Sequence, residues 1–333
     1  MYKVISLFSG CGGSSLGYKL AGLKVLASVE FIDFQAENYR LNFPDTKVYE
    51  KDIRTLNPLD ILNDLNLGVG ELDVLDGSPP CSSFSTCGSK EKGWSKVKKY
   101  SNRKQRTDDL FFEYIRFLRE IKPKVFVAEN VSGLVKGTAK GYFIEILKKL
   151  KDSGYNVKAK VLNAKYYNVP QARQRLIFIG VRNDIGIEPT YPIPNRNLIP
   201  LREAFKNITN SEKDLSDASC RKYAIYNELV KLKEYGRSLK RFNLSKESKD
   251  KPCRTLVAST SSISAASVCH WDNRKFTVNE CKAIQTFPQD FILTGYWSNQ
   301  IEAIGRAVPP KLMQAIAEHI KTEILGATKE LKG

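Results

Sequence analysis

Seven short apolar runs recur through the first 181 residues and constrain the fold more than any other feature: Lys3 to Phe8, Val25 to Val29, Lys47 to Tyr49, Leu72 to Leu75, Lys124 to Ala128, Val157 to Asn163 and Leu176 to Val181. Between them, Asp33 to Asn42, Asp108 to Ile121 and Tyr142 to Leu150 read as helices. Strand-like runs alternating with helices predict an α/β fold, an open sheet that keeps its chemistry just past the carboxyl ends of its strands. From Asp184 onward, prolines at 189, 192, 194 and 200 break that rhythm and mark a boundary. The expected organisation is a first domain over 1–185, completed by 295–333 with a helical tail from Asn299 to Leu325, and a smaller domain over 186–294.

The ends of the apolar runs carry the candidate chemistry. Phe8 opens into Ser9-Gly-Cys-Gly-Gly-Ser-Ser-Leu-Gly17, where Gly10, Gly12 and Gly13 let backbone amides approach a ligand. Glu30 ends the second run about twenty residues beyond the first glycine, the placement of an acid that binds ribose hydroxyls in dinucleotide sites. A glycine turn alone serves a nicotinamide fold or a tight structural turn almost as well. Asp52, after the third run, could accept from an adenine amino group or simply be a solvated turn aspartate.

The fourth run leads into Gly77-Ser-Pro-Pro-Cys-Ser-Ser-Phe84. Pro79 and Pro80 restrict the backbone and hold Cys81 in one orientation beside the crevice, as a nucleophile requires. A buried structural cysteine is the alternative. The fifth run delivers Glu129-Asn-Val131 to the same rim, where burial would raise a carboxyl's pKa and let it act as an acid. Pro170-Gln-Ala-Arg-Gln-Arg175 precedes the last run, and Arg173 and Arg175 share a face if that segment is extended. Planar guanidinium groups suit carbonyls and phosphates.

A net charge of +17 and a pI near 9.4 point to a polyanionic partner, nucleic acid above all. Two segments concentrate the charge. Lys90 to Thr107 holds eight basic residues against Glu91 alone, with Trp94 and Tyr100 interleaved, a composition that suits closure on a phosphate backbone and stacking on bases. Arg221 to Lys251 holds ten basic and four acidic residues with Tyr223, Tyr226, Tyr235 and Phe242 among them. Seven cysteines without a CxxC pair, and only two histidines, indicate neither a disulfide framework nor a metal site. No apolar run approaches the ~20 residues of a membrane span, so a cytoplasmic protein is expected.

Taken together in chain order, these motifs resemble the cytosine C5 DNA methyltransferase family over nearly the whole chain. Phe8 to Gly13 is similar to its cofactor loop, Pro79-Pro-Cys81 to its nucleophile loop, Glu129-Asn-Val131 to its catalytic acid strand, and Gln171 to Arg175 to its QxRxR pattern. Arg254-Thr-Leu resembles the stretch after the target recognition region, and Gly305-Arg-Ala-Val-Pro-Pro310 the closing motif. The resemblance implies a Rossmann-like S-adenosylmethionine methyltransferase, a mixed sheet with helices on both faces, joined to a small target recognition domain.

It further implies a metal-free reaction in which Cys81 attacks C6 of a flipped-out cytosine, Glu129 contacts N3 and the exocyclic amine, and Arg175 contacts O2 with Arg173 in support. Phe8, Ser9, Gly10, Gly12, Gly13, Glu30, Phe31, Asp52, Ile53, Pro80, Leu110, Arg306 and Val308 would hold S-adenosylmethionine. Ser85, Lys90, Lys92, Trp94, Lys96, Arg221, Lys222, Arg237, Lys240, Arg241 and Arg254 would contact double-stranded DNA, the protein acting as a monomer, with a cognate restriction endonuclease as a separate partner. Most relatives carry asparagine where this chain has Arg306, and cofactor binding is expected to survive that change.

Other readings fit less well. An exocyclic-amine methyltransferase would have an aromatic residue at position 81, a zinc deaminase would need a PCxxC run, and a nicotinamide enzyme gives Cys81, Glu129 and Arg175 no joint purpose. A tRNA cytosine methyltransferase shares the chemistry, but the Cys-Phe-Thr stretch of that branch is missing. A non-catalytic relative that only binds DNA is the remaining alternative.

Overall fold

The computed structural model describes residues 1–80, 98–100, 103–105, 109–241 and 243–327. In chain order the elements are β1 (Lys3–Leu7), α1 (Gly13–Leu20), β2 (Lys24–Val29), α2 (Asp33–Asn42), β3 (Lys47–Tyr49), α3 (Pro58–Asp64), β4 (Val74–Gly77), β5 (Lys98–Tyr100), β6 (Arg103–Gln105), α4 (Leu110–Ile121), β7 (Val125–Val131), α5 (Lys140–Lys151), β8 (Tyr155–Asn163), β9 (Gln171–Ala172) and β10 (Gln174–Arg182). There follow α6 (Leu201–Ala204), α7 (Glu212–Asp217), α8 (Ala224–Leu229), β11 (Ser245–Lys246), β12 (Cys253–Arg254), β13 (Val268–Cys269), α9 (Val278–Gln285), α10 (Trp297–Arg306) and α11 (Pro310–His319).

Seven strands form one sheet in the order β3-β2-β1-β4-β7-β10-β8. Only β10 runs against its neighbours in it. The chain order reverses between β1 and β4, so their outgoing loops diverge and leave a crevice at the carboxyl ends of the strands. The inner strands β1, β4, β7 and β10 are largely apolar because alternate residues enter different cores, whereas the edge strand β8 exposes Lys158 and Lys160. Val4 packs with Tyr18 of α1 and with Leu312 and Ile316 of α11 on one face. Ile5 packs with Ile61 of α3, Leu118 of α4 and Ile146 of α5 on the other. On the first face α1 and α11 are nearly in backbone contact: a Cβ on Gly17 would lie 2.5 Å from Met313 Cβ and 2.7 Å from the Pro310 carbonyl oxygen.

Three features differ from the expectation. The strand anticipated over 124–128 runs on to Val131, because Glu129, Asn130 and Val131 pair with Ile177, Leu176 and Arg175 of β10. The tail is not one helix. Ala307 is extended (ψ 149°), Pro310 restarts the chain as α11, and a π-helical turn over Ile320–Gly326 ends it, as expected where the residue before a proline is barred from the helical region. Two helices were overlooked although their start signals are in the sequence: Asn57-Pro58 opens α3, and the Thr277-x-x-Glu280 capping box opens α9.

Residues 186–294 carry short elements and a small core of Cys220, Ile225, Leu229, Leu244 and Cys269. A larger cluster ties this region to the rest, with Phe276, Ile284 and Phe287 packed among Tyr39 and Phe43 of α2 and Ile301 and Ile304 of α10. Among the described residues no helix is long and apolar enough to cross a membrane.

Candidate active site

A cavity of about 400 Å³ opens at the point where the strand order reverses. Phe8, Ser9 and Gly10 enter it from the end of β1, Glu30 and Phe31 from β2, and Asp52 and Ile53 from beyond β3. Pro80, Leu110, Arg306 and Val308 complete the set of expected cofactor residues that line it. Phe8 holds a left-handed conformation (φ 54°), costly for an aromatic residue and concentrated at functional turns. The Glu30 carboxylate is fixed from two sides, accepting from Gly10 N at 2.7 Å and from Ile32 N at 2.8 Å. Burial pushes its pKa up, while the amides of Ile32, Gly10 and Phe31 and the charge of Arg306 push it down. Arg306 Nε also donates to Glu302 Oε1 at 2.9 Å.

Asp52 is committed to local structure as well, pairing with Arg54 at 3.0 Å, which in turn reaches Asp109 at 2.6 Å. Gly12 and Gly13 do not line the cavity. A Cβ on Gly13 would lie 2.3 Å from the Val308 carbonyl oxygen, and one on Gly12 would meet the Phe43 ring at the same distance. These two glycines let the closing motif and α2 pack against the turn.

At the other end of the cavity Arg175 Nε meets Glu129 Oε1 at 2.6 Å, with both side chains about one-tenth exposed. The reversed β10 explains the encounter. A parallel strand would deliver its last residues to this rim, whereas β10 delivers its first, and the register that sets Arg175 opposite Val131 puts its side chain diagonally beside Glu129 on one face. Burial pushes the Arg175 pKa down and Glu129 pushes it up. Asn130, part of the Glu129-Asn-Val131 motif but given no role from the sequence, donates through Nδ2 to the Pro79 carbonyl at 3.2 Å and so ties the acid strand to the turn that leads into Cys81. Cys81 itself, with Ser85, Lys90, Lys92, Trp94 and Lys96, lies outside the described residues.

Arg173 is 1% exposed and donates to the carbonyls of Leu256 at 2.6 Å and Gly305 at 3.0 Å. Gln171 donates to Gln285 Oε1 and accepts from Leu256 N. Both residues therefore position other segments. Arg254 likewise turns inward, bonding the buried Glu247 at 2.8 Å and the Tyr235 carbonyl at 2.7 Å with its guanidinium 3.9 Å from the Tyr235 ring. Arg221, Lys222, Arg237, Lys240 and Arg241 are exposed on the smaller region.

Asp76 is a second residue that the sequence did not single out. It lines the cavity at 1% exposure and accepts from Ser6 Oγ at 2.8 Å and Ser14 Oγ at 2.7 Å, with Tyr18 Oη at 3.4 Å. Burial, assisted by the charge of Glu129, pushes its pKa up to about 6 against the three donors. A raised acid pKa means that the folded state binds the proton more tightly, so stability rises as pH falls through 6 toward 4. The ionised form costs about 3 kcal/mol at neutral pH. Asp76→Asn, which mimics the protonated acid, is expected to be more stable than the wild type at pH 7.5, with the gap closing toward pH 5. Thermal melts at both values check this, and a gap that widens on acidification would contradict it.

A sheet of this topology, with a fixed acid in a cavity where the strand order reverses and an acid and arginine paired at its rim, is that of an α/β protein that holds a ligand at the carboxyl ends of its strands. Comparison with known proteins narrows the class. Residues 2–322 match the family described as C-5 cytosine-specific DNA methylase. The chain is 34% identical over 339 residues to the Type II methyltransferase M1.HphI of Haemophilus parahaemolyticus, covering 95% of this chain and 86% of that one. It is 32% identical to the Type II methyltransferase M.Eco47II of Escherichia coli, covering 96% and 79%. Among solved structures, a putative DNA modification methyltransferase encoded within an E. coli prophage superposes with a TM-score of 0.76 at 19% identity, covering 98% of this chain and all of that one. The S. pombe Dnmt2 methyltransferase follows at 0.69 and 15%, covering 96% and 98%. The chain belongs to the C-5 cytosine-specific DNA methylase family and is a DNA cytosine-5 methyltransferase.

Proposed function

We propose that this chain methylates C5 of one cytosine within a short duplex DNA sequence, flipping the base out of the helix and attacking it through Cys81. The observation that carries the reading is the Glu129–Arg175 pair at 2.6 Å, on the rim that Asn130 ties to the Pro79-Pro80 turn ahead of Cys81. A base inside a stacked duplex cannot reach such a rim, so the cytosine must leave the stack.

The residues around the cavity fit S-adenosylmethionine. Glu30 is a fixed acceptor for ribose hydroxyls, and Phe8, Phe31 and Ile53 offer apolar surface for the adenine. Arg306 would meet the cofactor carboxylate while its charge offsets that of Glu30. When bound, the cofactor supplies an electrophilic methyl group on sulfur. Everything else falls to the protein. Cytosine C5 is a poor carbon nucleophile until a thiolate adds to C6, which makes the ring enamine-like. Cys81 makes that bond, and Glu129 and Arg175 stabilise the charge that develops at N3 and O2. Removal of the C5 proton then returns an electron pair that expels the Cys81 thiolate and restores the aromatic ring.

The region over 186–294 reads the target sequence, with Arg221, Lys222, Arg237, Lys240 and Arg241 on the phosphate backbone or base edges. The remainder, 1–185 with 295–333, performs the chemistry. The protein acts as a monomer in the cytoplasm, and its similarity to Type II methyltransferases supports a cognate restriction endonuclease that acts separately. Base-resolution cytosine methylation sequencing of DNA from a methylation-free bacterial host expressing this chain tests the reading. One short motif methylated throughout the genome is expected. A genome without added methylation, with methylated cytosine in the tRNA of the same cells, would replace DNA by tRNA as the substrate.

A further inference from the structure

Gln35 lies in the first turn of α2 and lines the same cavity, yet it is only 1% exposed and neither Oε1 nor Nε2 has a hydrogen-bond partner. A buried donor and a buried acceptor left unpaired on one side chain are costly, and an apolar residue would serve α2 better if packing were the only demand. Such groups in native structures call for a water, an ion or a function to explain them, and at a cavity wall a ligand can be that function. Glu30, on the same wall, shows what is lacking there. Its carboxylate can only accept, and each oxygen already holds one backbone amide, from Gly10 or from Ile32. A sugar hydroxyl both donates and accepts, so a carboxylate satisfies half of its capacity.

We infer that Gln35 binds the ribose hydroxyls of the adenosyl cofactor together with Glu30, supplying the donor that the carboxylate lacks. This rests on the assignment of the cavity to S-adenosylmethionine. The inference predicts opposite signs for two measurements on one variant. Gln35→Met keeps the length of the side chain and removes its polar atoms, so the ligand-free protein is expected to melt about 2 °C higher. The same change is expected to weaken binding of S-adenosylhomocysteine about ten-fold.

Calorimetry with S-adenosylhomocysteine and its 2′-deoxy and 3′-deoxy analogues locates the effect. The ten-fold penalty should shrink to about two-fold or less for the analogue that lacks the contacted hydroxyl. Unchanged affinity for S-adenosylhomocysteine, or an equal penalty for all three ligands, would each overturn the inference. If methionine cannot pack, Gln35→Ala gives the same comparison among the three ligands. Failure of the wild type to bind S-adenosylhomocysteine would instead sink the cofactor assignment, so the two failures are distinguishable.

Discussion

Cys81→Ala is expected to lower methylation by at least about 10⁴-fold and to remove covalent capture by duplex DNA that carries 5-fluorocytosine in the target motif. Without the thiolate there is no bond to C6, and the ring carbon that must accept the methyl group stays unreactive. Fluorine at C5 cannot leave as a proton does, so the wild type should become trapped on such DNA in a complex that survives denaturing electrophoresis. DNA affinity should change little, since the basic residues proposed to neutralise phosphates are untouched. A denaturation-stable complex formed by Cys81→Ala would show that another group attacks the base.

The second large effect belongs to Glu129. Glu129→Gln is expected to slow turnover about 10³-fold by weakening the contact with N3, where charge develops. It is also expected to cost about 3 kcal/mol of stability, because Arg175 keeps a buried charge without its partner. Glu129→Gln combined with Arg175→Met removes that stranded charge, and should regain much of the stability and none of the rate. Denaturant unfolding and single-turnover methylation on the same three proteins separate the two contributions. Normal turnover by Glu129→Gln would remove Glu129 from the chemistry.

The α/β fold was legible because its signal is local. Apolar runs of strand length, the first five of them leading into a glycine, an acid or a proline turn, need no knowledge of distant residues to be read. Glu30, Asp52, Glu129 and Arg175 reach one cavity for that reason, since strand ends in an open sheet converge on one edge. Gln35 and Asp76 were illegible for the opposite reason. A glutamine in the first turn of a helix and an aspartate near a strand end are ordinary residues, and only packing against α1, β1 and β2 makes them buried. Arg254 shows the same limit from the other side. Its charge suggested a phosphate contact, but Glu247, seven residues earlier, and Tyr235 claim its guanidinium. The break at Ala307 to Pro310 could have been anticipated from the adjacent prolines, whose local veto outweighs the helical periodicity on either side.

The way in which Gln171 and Arg173 hold other segments bears on how such a protein can change. The chain leaves the seven-stranded sheet at Arg182, and at Cys253 it pairs with the stretch just ahead of β10, β12 and β9 forming a separate two-stranded sheet with Cys253 opposite Gln171 and Arg254 opposite Ala172. Side chains from that same short stretch then hold the carbonyls of Leu256 and Gly305. The return is thus fastened to the stretch just ahead of β10, beside the acid and the arginine, whatever path the seventy or so residues after Arg182 follow. Descendants could lengthen, shorten or exchange that excursion while the reaction centre stays in register. With the excursion as the proposed DNA reader, inheritance can treat it as a cassette, because the clasp that receives its end lies outside it.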